Sequence, residues 1–313
     1  MNQNEQTTRF DVVIIGGGPA GLSAAIYASR DGLSTLLVEK GLIGGMINEA
    51  DKVDNYPGFS QGISGIELTA KMYEQAQKYG LNNVNAEVLS VVVAQPLGFT
   101  IKTSEKEYQT KAVIIAGGSD KVRLGVQGEK EFIGRGVSYC ATCDAPFFRA
   151  KTVAVIGGGN SAVFEAIHLS KFAKKVYLIH RRDQLRATHI VQEQAKAEYK
   201  IEFTLNSVVE EIQGADVLEK IIIKNVIDGQ FSELNLDGLF ISVGIKPNTS
   251  YLSELLELDN DGMIVVDDYM QTSVAGIFAC GDIRHNSIRQ TIAAAGDGAV
   301  AAVNAKKWVE RVY

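Results

Sequence analysis

A glycine-rich turn between a short apolar strand and a small-residue helix occurs twice in this chain, and it constrains the fold more than any other feature. Residues 10–15 form an apolar run ending in Gly16-Gly17-Gly18-Pro19-Ala20-Gly21, after which Ala20, Ala24 and Ala28 recur at helical spacing. Residues 151–156 run likewise into Gly157-Gly158-Gly159-Asn160-Ser161-Ala162, and Ala162, Ala166, Leu169 and Ala173 follow at helical spacing. Glycine at such a turn lets the backbone approach a pyrophosphate, whose charge then meets a helix N-terminus. Both stretches predict a dinucleotide site; the alternative is a tight turn with no ligand.

The next strand ends differently in the two copies. In the first, a strand at residues 35–38 ends at Glu39, roughly twenty residues beyond the glycines, where a carboxylate accepts hydrogen bonds from a ribose. In the second, the strand at 175–179 ends in His180-Arg181-Arg182, with Arg186 one helical turn further on. Clustered guanidinium groups favour a 2′-phosphate through charge and paired hydrogen bonds, so the phosphorylated nicotinamide is expected there; a solvated basic face is the bland alternative.

Between the two turns lies Cys140-Ala141-Thr142-Cys143-Asp144. Two thiols three residues apart can close a small reversible disulfide, and an acid sits beside them. The chain has three cysteines, too few for a disulfide-stapled secreted fold, so the close pair points to redox or metal chemistry. Metal needs further ligands, and Cys280 is remote while His168, His180, His189 and His285 lack ligand spacing. No metal site is expected.

At 313 residues the chain exceeds one hydrophobic core, and about two domains are expected. A helix at 66–79, with Leu68, Met72, Gln75 and Tyr79 on one side, follows an ordered loop at 41–65. Strands at 87–93, 98–103 and 108–115 then lead to Gly117-Gly118, the first domain crossing. After a helix near 190–200 the pattern returns, with strands at 207–212, 218–225, 231–236 and 239–244, so the two halves read as copies of one design. Residues 244–248 form the return crossing. Strands at 263–266 and 276–279 come next, the second breaking off at Gly281-Asp282, and Arg289-Gln290 leads a small-residue helix at 293–302.

The formal charge of −6 argues against nonspecific nucleic-acid binding. No apolar run approaches the roughly 20 residues of a membrane span, and the polar start Met1-Asn2-Gln3-Asn4-Glu5-Gln6 lacks the layout of a secretion signal. A cytoplasmic location is expected.

These motifs together resemble the low-molecular-weight, bacterial-type thioredoxin reductases, from end to end. Gly16, Gly18, Pro19, Ala20 and Gly21 with Glu39 and Lys40 resemble the family's FAD turn, and Gly45, Met46, Asn55 and Val88 fall at further flavin positions. Gly281, Asp282 and Ile283 with Arg289, Gln290 and Thr291 match its second FAD motif. Gly157, Gly159, Asn160, Ser161 and Ala162 with His180, Arg181, Arg182 and Arg186 match its NADPH site. Larger disulfide reductases carry their cysteines in the first domain, so the placement of Cys140 and Cys143 between the turns sets this family apart.

The resemblance implies an α/β protein of two Rossmann-like, three-layer β/β/α nucleotide-binding domains, the second inserted in the first. Residues 1–117 and 248–313 would form the FAD domain and 118–247 the NADPH domain carrying the redox pair. It implies homodimers, and electrons passing from NADPH to FAD, to the Cys140–Cys143 disulfide, and on to thioredoxin or a thioredoxin-like protein. Cys143 would lie nearer the flavin, Asp144 would protonate a departing thiolate, and glycines at both crossings would serve a domain rotation. Three residues depart from the family pattern. Phe164 replaces a glutamate near the nicotinamide, Ala145 replaces a glycine after the acid, and Met46 replaces a glutamine; Cys280 reads as a small buried residue. Phe164 keeps open a reductase fed by ferredoxin or an oxygen-using dithiol oxidase; a flavin redox sensor without turnover is a third reading.

Overall fold

The computed structural model describes residues 8–50, 52–94 and 97–313, so the polar start lies outside the described residues. The chain divides into two compact units, Met1–Asp120 with Lys246–Tyr313, and Lys121–Ile245. Each is an α/β unit built on a parallel sheet.

Strand β1 (Arg9–Ile15) has Val12, Val13 and Ile14 fully buried, the continuous burial of a strand covered on both faces. The chain turns through its glycines into α1 (Pro19–Arg30) and returns as β2 (Thr35–Glu39), parallel to β1 with Ile15 beside Val38. Helix α2 (Gly65–Gln77) is capped by Ser64, whose hydroxyl accepts from the Glu67 amide at 3.2 Å. It buries Leu68, Thr69, Met72 and Ala76, whereas Gln75 and Tyr79 of the expected stripe are exposed. At roughly 100° per residue the buried arc centres on Met72 and Ala76, which leaves Gln75 at its margin, and the helix ends before Tyr79.

Strand β3 (Asn82–Asn85) pairs with the outer side of β2. A meander of β4 (Val88–Val93), β5 (Phe99–Thr103) and β6 (Glu107–Ile115) comes next. Strand β6 runs antiparallel to β5 and parallel to β1, with Ile115 beside Ile15.

After the crossing strand β7 (Ser119–Lys121) the second unit begins with β8 (Val137–Ser138) and the single turn α3 (Ala141–Asp144). Next come β9 (Thr152–Ile156), α4 (Asn160–Ser170), β10 (Lys175–Ile179), α5 (His189–Ala197) and β11 (Ile201–Thr204). The expected helix through Ala173 ends at Ser170, and Ala173 is buried just beyond it. The strands β12 (Ser207–Gly214), β13 (Leu218–Asn225) and β14 (Phe231–Asn235) form an antiparallel sheet of their own. Then β15 (Gly238–Ile241) returns between β9 and β8, and β16 (Ile245–Pro247) pairs with β7 at the crossing.

The last strand, β17 (Ile277–Ala279), lies parallel to β6. The order β3-β2-β1-β6-β17 thus repeats as β11-β10-β9-β15-β8, the internal duplication expected from the sequence. Residues 263–266 are not a regular strand: Ile264 makes isolated bridges, to Leu258 on one side and Arg284 on the other, without a continuous ladder. The terminal helix α6 (Thr291–Val312) is 22 residues long, well beyond the expected 293–302. It packs closely on α1, where a Cβ on Gly298 would collide with the Ala20 carbonyl.

Candidate active site

The duplication puts chemistry at matching places. Cys140–Asp144 follow β8 in the second unit, and Gly281–Asp282 follow β17 in the first, both at the carboxyl end of a parallel sheet, where ligands of such folds bind.

In the first turn, Gly16 has φ 106° and lies against the Ala116 carbonyl, so no side chain fits. Gly18 is open, its nearest neighbour in the Cβ direction being the Gly44 oxygen at 3.9 Å, and α1 starts there without a side-chain cap. That combination of an uncapped helix start and an unfilled glycine cradle fits a pyrophosphate. Glu39 closes the turn from below: one carboxylate oxygen accepts from Gly17 N–H at 2.7 Å and the other from Gly41 N–H at 2.8 Å. Lys40 beside it is exposed. The Gly44 amide donates to the Gly17 oxygen at 2.8 Å, bringing Gly45 and the exposed Met46 to the same turn. Val88 is half-buried at the start of β4, and just before it the Ala86 amide donates to the Glu39 carbonyl.

The Gly281–Asp282 and Arg289–Thr291 segments converge on these residues from the far end of the chain. Asn55 donates to the Gln290 side chain at 3.1 Å, across 235 positions. Gly281, at φ 78°, packs on Ala20, and its amide donates to Asp297 at 3.2 Å. The Asp297 carboxylate also takes a two-pronged ion pair from Arg284, at 2.7 and 3.0 Å. Asp282 accepts from the Ser287 hydroxyl at 3.0 Å, Arg289 has φ 55°, and Thr291 opens α6. Ile283 and Ala20 have buried side chains, so only their backbones can meet a ligand.

In the second turn, Gly159 is likewise open and α4 uncapped by any side chain. Residues 181–184 bend rather than forming a helix. The bend is fastened to the glycine turn: Arg186 N–H donates to the Gly158 oxygen at 2.6 Å, and Thr188 N–H to the Asn160 side chain at 2.8 Å. Arg181, Arg182 and Arg186 are exposed, as is Ser161, while Ala162 and His180 are buried. The His180 ring fills the space over Gly158 that a Cβ would need. Burial, followed by the charges of Arg186, Arg182 and Arg181, holds its imidazole below the ordinary value.

Cys140 and Cys143 are joined in a disulfide, their Cα atoms 5.4 Å apart. Cys140 caps α3 in extended conformation, and Cys143 is exposed. Asp144, at the end of the same turn, is half-buried and accepts from the Ser138 hydroxyl at 2.6 Å. Burial pushes its carboxyl above the usual range, against the opposing pull of Ser138 and the Lys121 ammonium. Ala145, in place of glycine, sits at φ −49°, where any residue fits, and continues into a 3-10 turn (Ala145–Phe148). Phe164 is 52% exposed on α4. Cys280 is a fully buried free thiol whose pKa is driven far up, first by burial and then by Asp297.

Several supporting residues carry no signal in the sequence: Ser138 under Asp144, Arg284 and Asp297 under Gly281, and Glu129, which accepts from the Tyr139 hydroxyl at 2.6 Å. Arg284 and Asp297 meet across 13 positions, and Ser138, though only six residues from Asp144, is of no residue type that marks it as its partner.

Residues 10–298 match the model of the pyridine nucleotide-disulphide oxidoreductase family. The chain belongs to that family, whose members imply a flavin and a nicotinamide of the NAD(P) type, and within it stands among the low-molecular-weight thioredoxin reductases. It is 43% identical to the thioredoxin reductase of Bacillus subtilis (strain 168) over 304 residues, covering 97% of this chain and 96% of that one. It is also 43% identical to the thioredoxin reductase of Peptoclostridium litorale, over 97% of this chain and 98% of that one. The crystal structure of thioredoxin reductase from Streptococcus pyogenes MGAS5005 superposes with a TM-score of 0.94 at 44% identity, covering 98% of this chain and 100% of that chain. Among the described residues no helix is long and apolar enough to cross a membrane.

Proposed function

We propose that the chain is an NADPH-dependent flavoprotein that reduces the disulfide of thioredoxin or a thioredoxin-like protein. The observation that carries this reading is the closed Cys140–Cys143 disulfide beside Asp144, in the same unit as a glycine turn tied to three exposed arginines. FAD, when bound, relays two electrons from NADPH to that disulfide. Gly18 and the start of α1 would hold its pyrophosphate, Glu39 its adenosine ribose, and Asp282, Gln290 and Asn55 its remaining polar groups. Gly159 and the start of α4 would hold the pyrophosphate of NADPH, and Arg181, Arg182 and Arg186 its 2′-phosphate.

Within the chain, the steps belong to sulfur and one carboxyl. As the Cys140–Cys143 bond accepts two electrons, Asp144 gives its proton to a departing thiolate. The sulfur left as thiolate then attacks the partner's disulfide and a mixed disulfide forms, expelling one partner sulfur that takes a proton from solvent. The other thiol returns its proton to Asp144, attacks the mixed disulfide, expels the second partner sulfur to be protonated in turn, and closes Cys140–Cys143 again. A thiol of ordinary pKa does this slowly unless a neighbouring group manages its proton, which is the use of an acid held near it. A homodimer through the first unit also belongs to this reading. Leu42 and Ile66 there, 86% and 63% exposed, are apolar residues that such an interface can cover.

Anaerobic mixing of the flavin-loaded protein with NADPH tests the donor half. Loss of the oxidised-flavin absorption within the mixing time is expected. A flavin that stays oxidised with NADPH yet bleaches with another donor overturns it.

A further inference from the structure

One buried hydroxyl touches both ends of the redox motif. Ser138 is 6% exposed at the end of β8, held by parallel pairing with Phe240 of β15. Its oxygen accepts from Cys140 N–H at 3.0 Å and lies 2.6 Å from the Asp144 carboxylate. A serine hydroxyl has a single hydrogen, and an ionised carboxylate can only accept. With the Cys140 amide donating to the serine oxygen, that hydrogen goes to Asp144.

The mounting is stiff on the far side as well. The Tyr139 carbonyl accepts from Lys121 at 2.7 Å, and the Tyr139 hydroxyl donates to Glu129 at 2.6 Å. Glu129, 1% exposed, takes the amides of Leu124 at 2.9 Å and Gly125 at 2.6 Å as well. Tyr139, next to Ser138, is thus tethered at both its carbonyl and its hydroxyl, and the Cys140 peptide and the Asp144 carboxyl are held to one oxygen atom.

We infer that Ser138 is a positioning residue for the reaction, orienting the Asp144 carboxyl against the disulfide and setting the pH at which it yields its proton. This rests on the reading of Asp144 as the acid. As the Cys140–Cys143 bond takes up two electrons from NADPH through FAD, a proton passes from Asp144 to one sulfur. The carboxylate left behind is the form that the Ser138 hydrogen bond stabilises. Among the described residues the charged group acting on Asp144 is Lys121 from β7; Cys140 and Cys143 of the same turn become titratable only once their disulfide opens. Ser138 and Lys121 both favour ionisation, and burial opposes them.

The test is the pH profile for reduction of a chromogenic disulfide through a thioredoxin, measured for the flavin-loaded wild type and for Ser138→Ala, Ser138→Thr and Asp144→Asn. Turnover falls at alkaline pH as the acid loses its proton. In Ser138→Ala that limb is expected to move upward by about one pH unit, the scale of one lost charge-assisted hydrogen bond. Ser138→Thr, which keeps the hydroxyl, is expected to return it. A limb that stays in place in Ser138→Ala, whatever the loss of rate, overturns the inference, since merely structural damage lowers the profile without moving it. Should the alanine variant not fold, Ser138→Gly reads the same limb. Asp144→Asn separates the two levels: a limb that survives this change overturns the assignment of the acid itself.

Discussion

The amide of Arg186 donates a 2.6 Å hydrogen bond to the carbonyl of Gly158, which joins the arginine segment to the second glycine turn. The arginine segment proposed to read the phosphate and the glycine turn proposed to hold the pyrophosphate are therefore tied together through the backbone. Arg181, Arg182 and Arg186 extend from that segment into solvent.

From this arrangement, Arg181→Ala or Arg182→Ala is expected to raise KM for NADPH by about ten- to a hundredfold, the worth of a charge-assisted contact to a phosphate. KM for NADH, which lacks the 2′-phosphate, should change by less than about twofold. Steady-state kinetics with both nucleotides checks this. Equal losses with the two would mean that the cluster does not read the phosphate.

Glu39 supplies both acceptors for Gly17 and Gly41, so its removal acts on the turn before any ligand arrives. Glu39→Ala is expected to lower unfolding stability by about 1–2 kcal/mol, because two partly shielded amides lose their partners. It should also weaken FAD binding by more than about tenfold, the loosened cradle adding to the lost ribose contact. Fluorescence titration of the flavin-free protein measures the second effect and denaturant unfolding the first. Unchanged affinity would remove Glu39 from the flavin site.

His180 gives a pH dependence of stability. Its folded pKa lies below 6.5 through burial and the arginine charges, so between the two values the unfolded chain binds the extra proton. Stability tied to His180 is whole above pH 6.5 and drains as pH falls below it. Urea unfolding over about pH 5 to 8 should show wild type losing stability on acidification more steeply than His180→Gln. Parallel curves would contradict a buried neutral imidazole.

The sequence was most legible where one local rule decides the structure. Both glycine turns, the strands feeding them and the redox pair follow from spacing alone, and so does the duplication that repeats the sheet order. Strand β3, with the sequence Asn-Asn-Val-Asn, carries no apolar alternation and forms because the edge of β2 offers it a ladder. The segment at 263–266 has the composition of a strand, yet it pairs only at isolated bridges, from Ile264 to Leu258 and Arg284. The supports of the site were illegible for the same reason: Ser138 serves Asp144, and Asp297 serves Gly281, through contacts set by tertiary structure.

The central claim, that electrons from the nicotinamide reach the Cys140–Cys143 disulfide, is tested most directly by trapping thiols. The flavin-loaded protein is reduced with excess NADPH without oxygen, alkylated in the native state and mapped by mass spectrometry against an untreated sample. The account predicts label on Cys140 and Cys143 only after NADPH, and none on the buried Cys280 under either condition. A bleached flavin with Cys140 and Cys143 still unlabelled would contradict it.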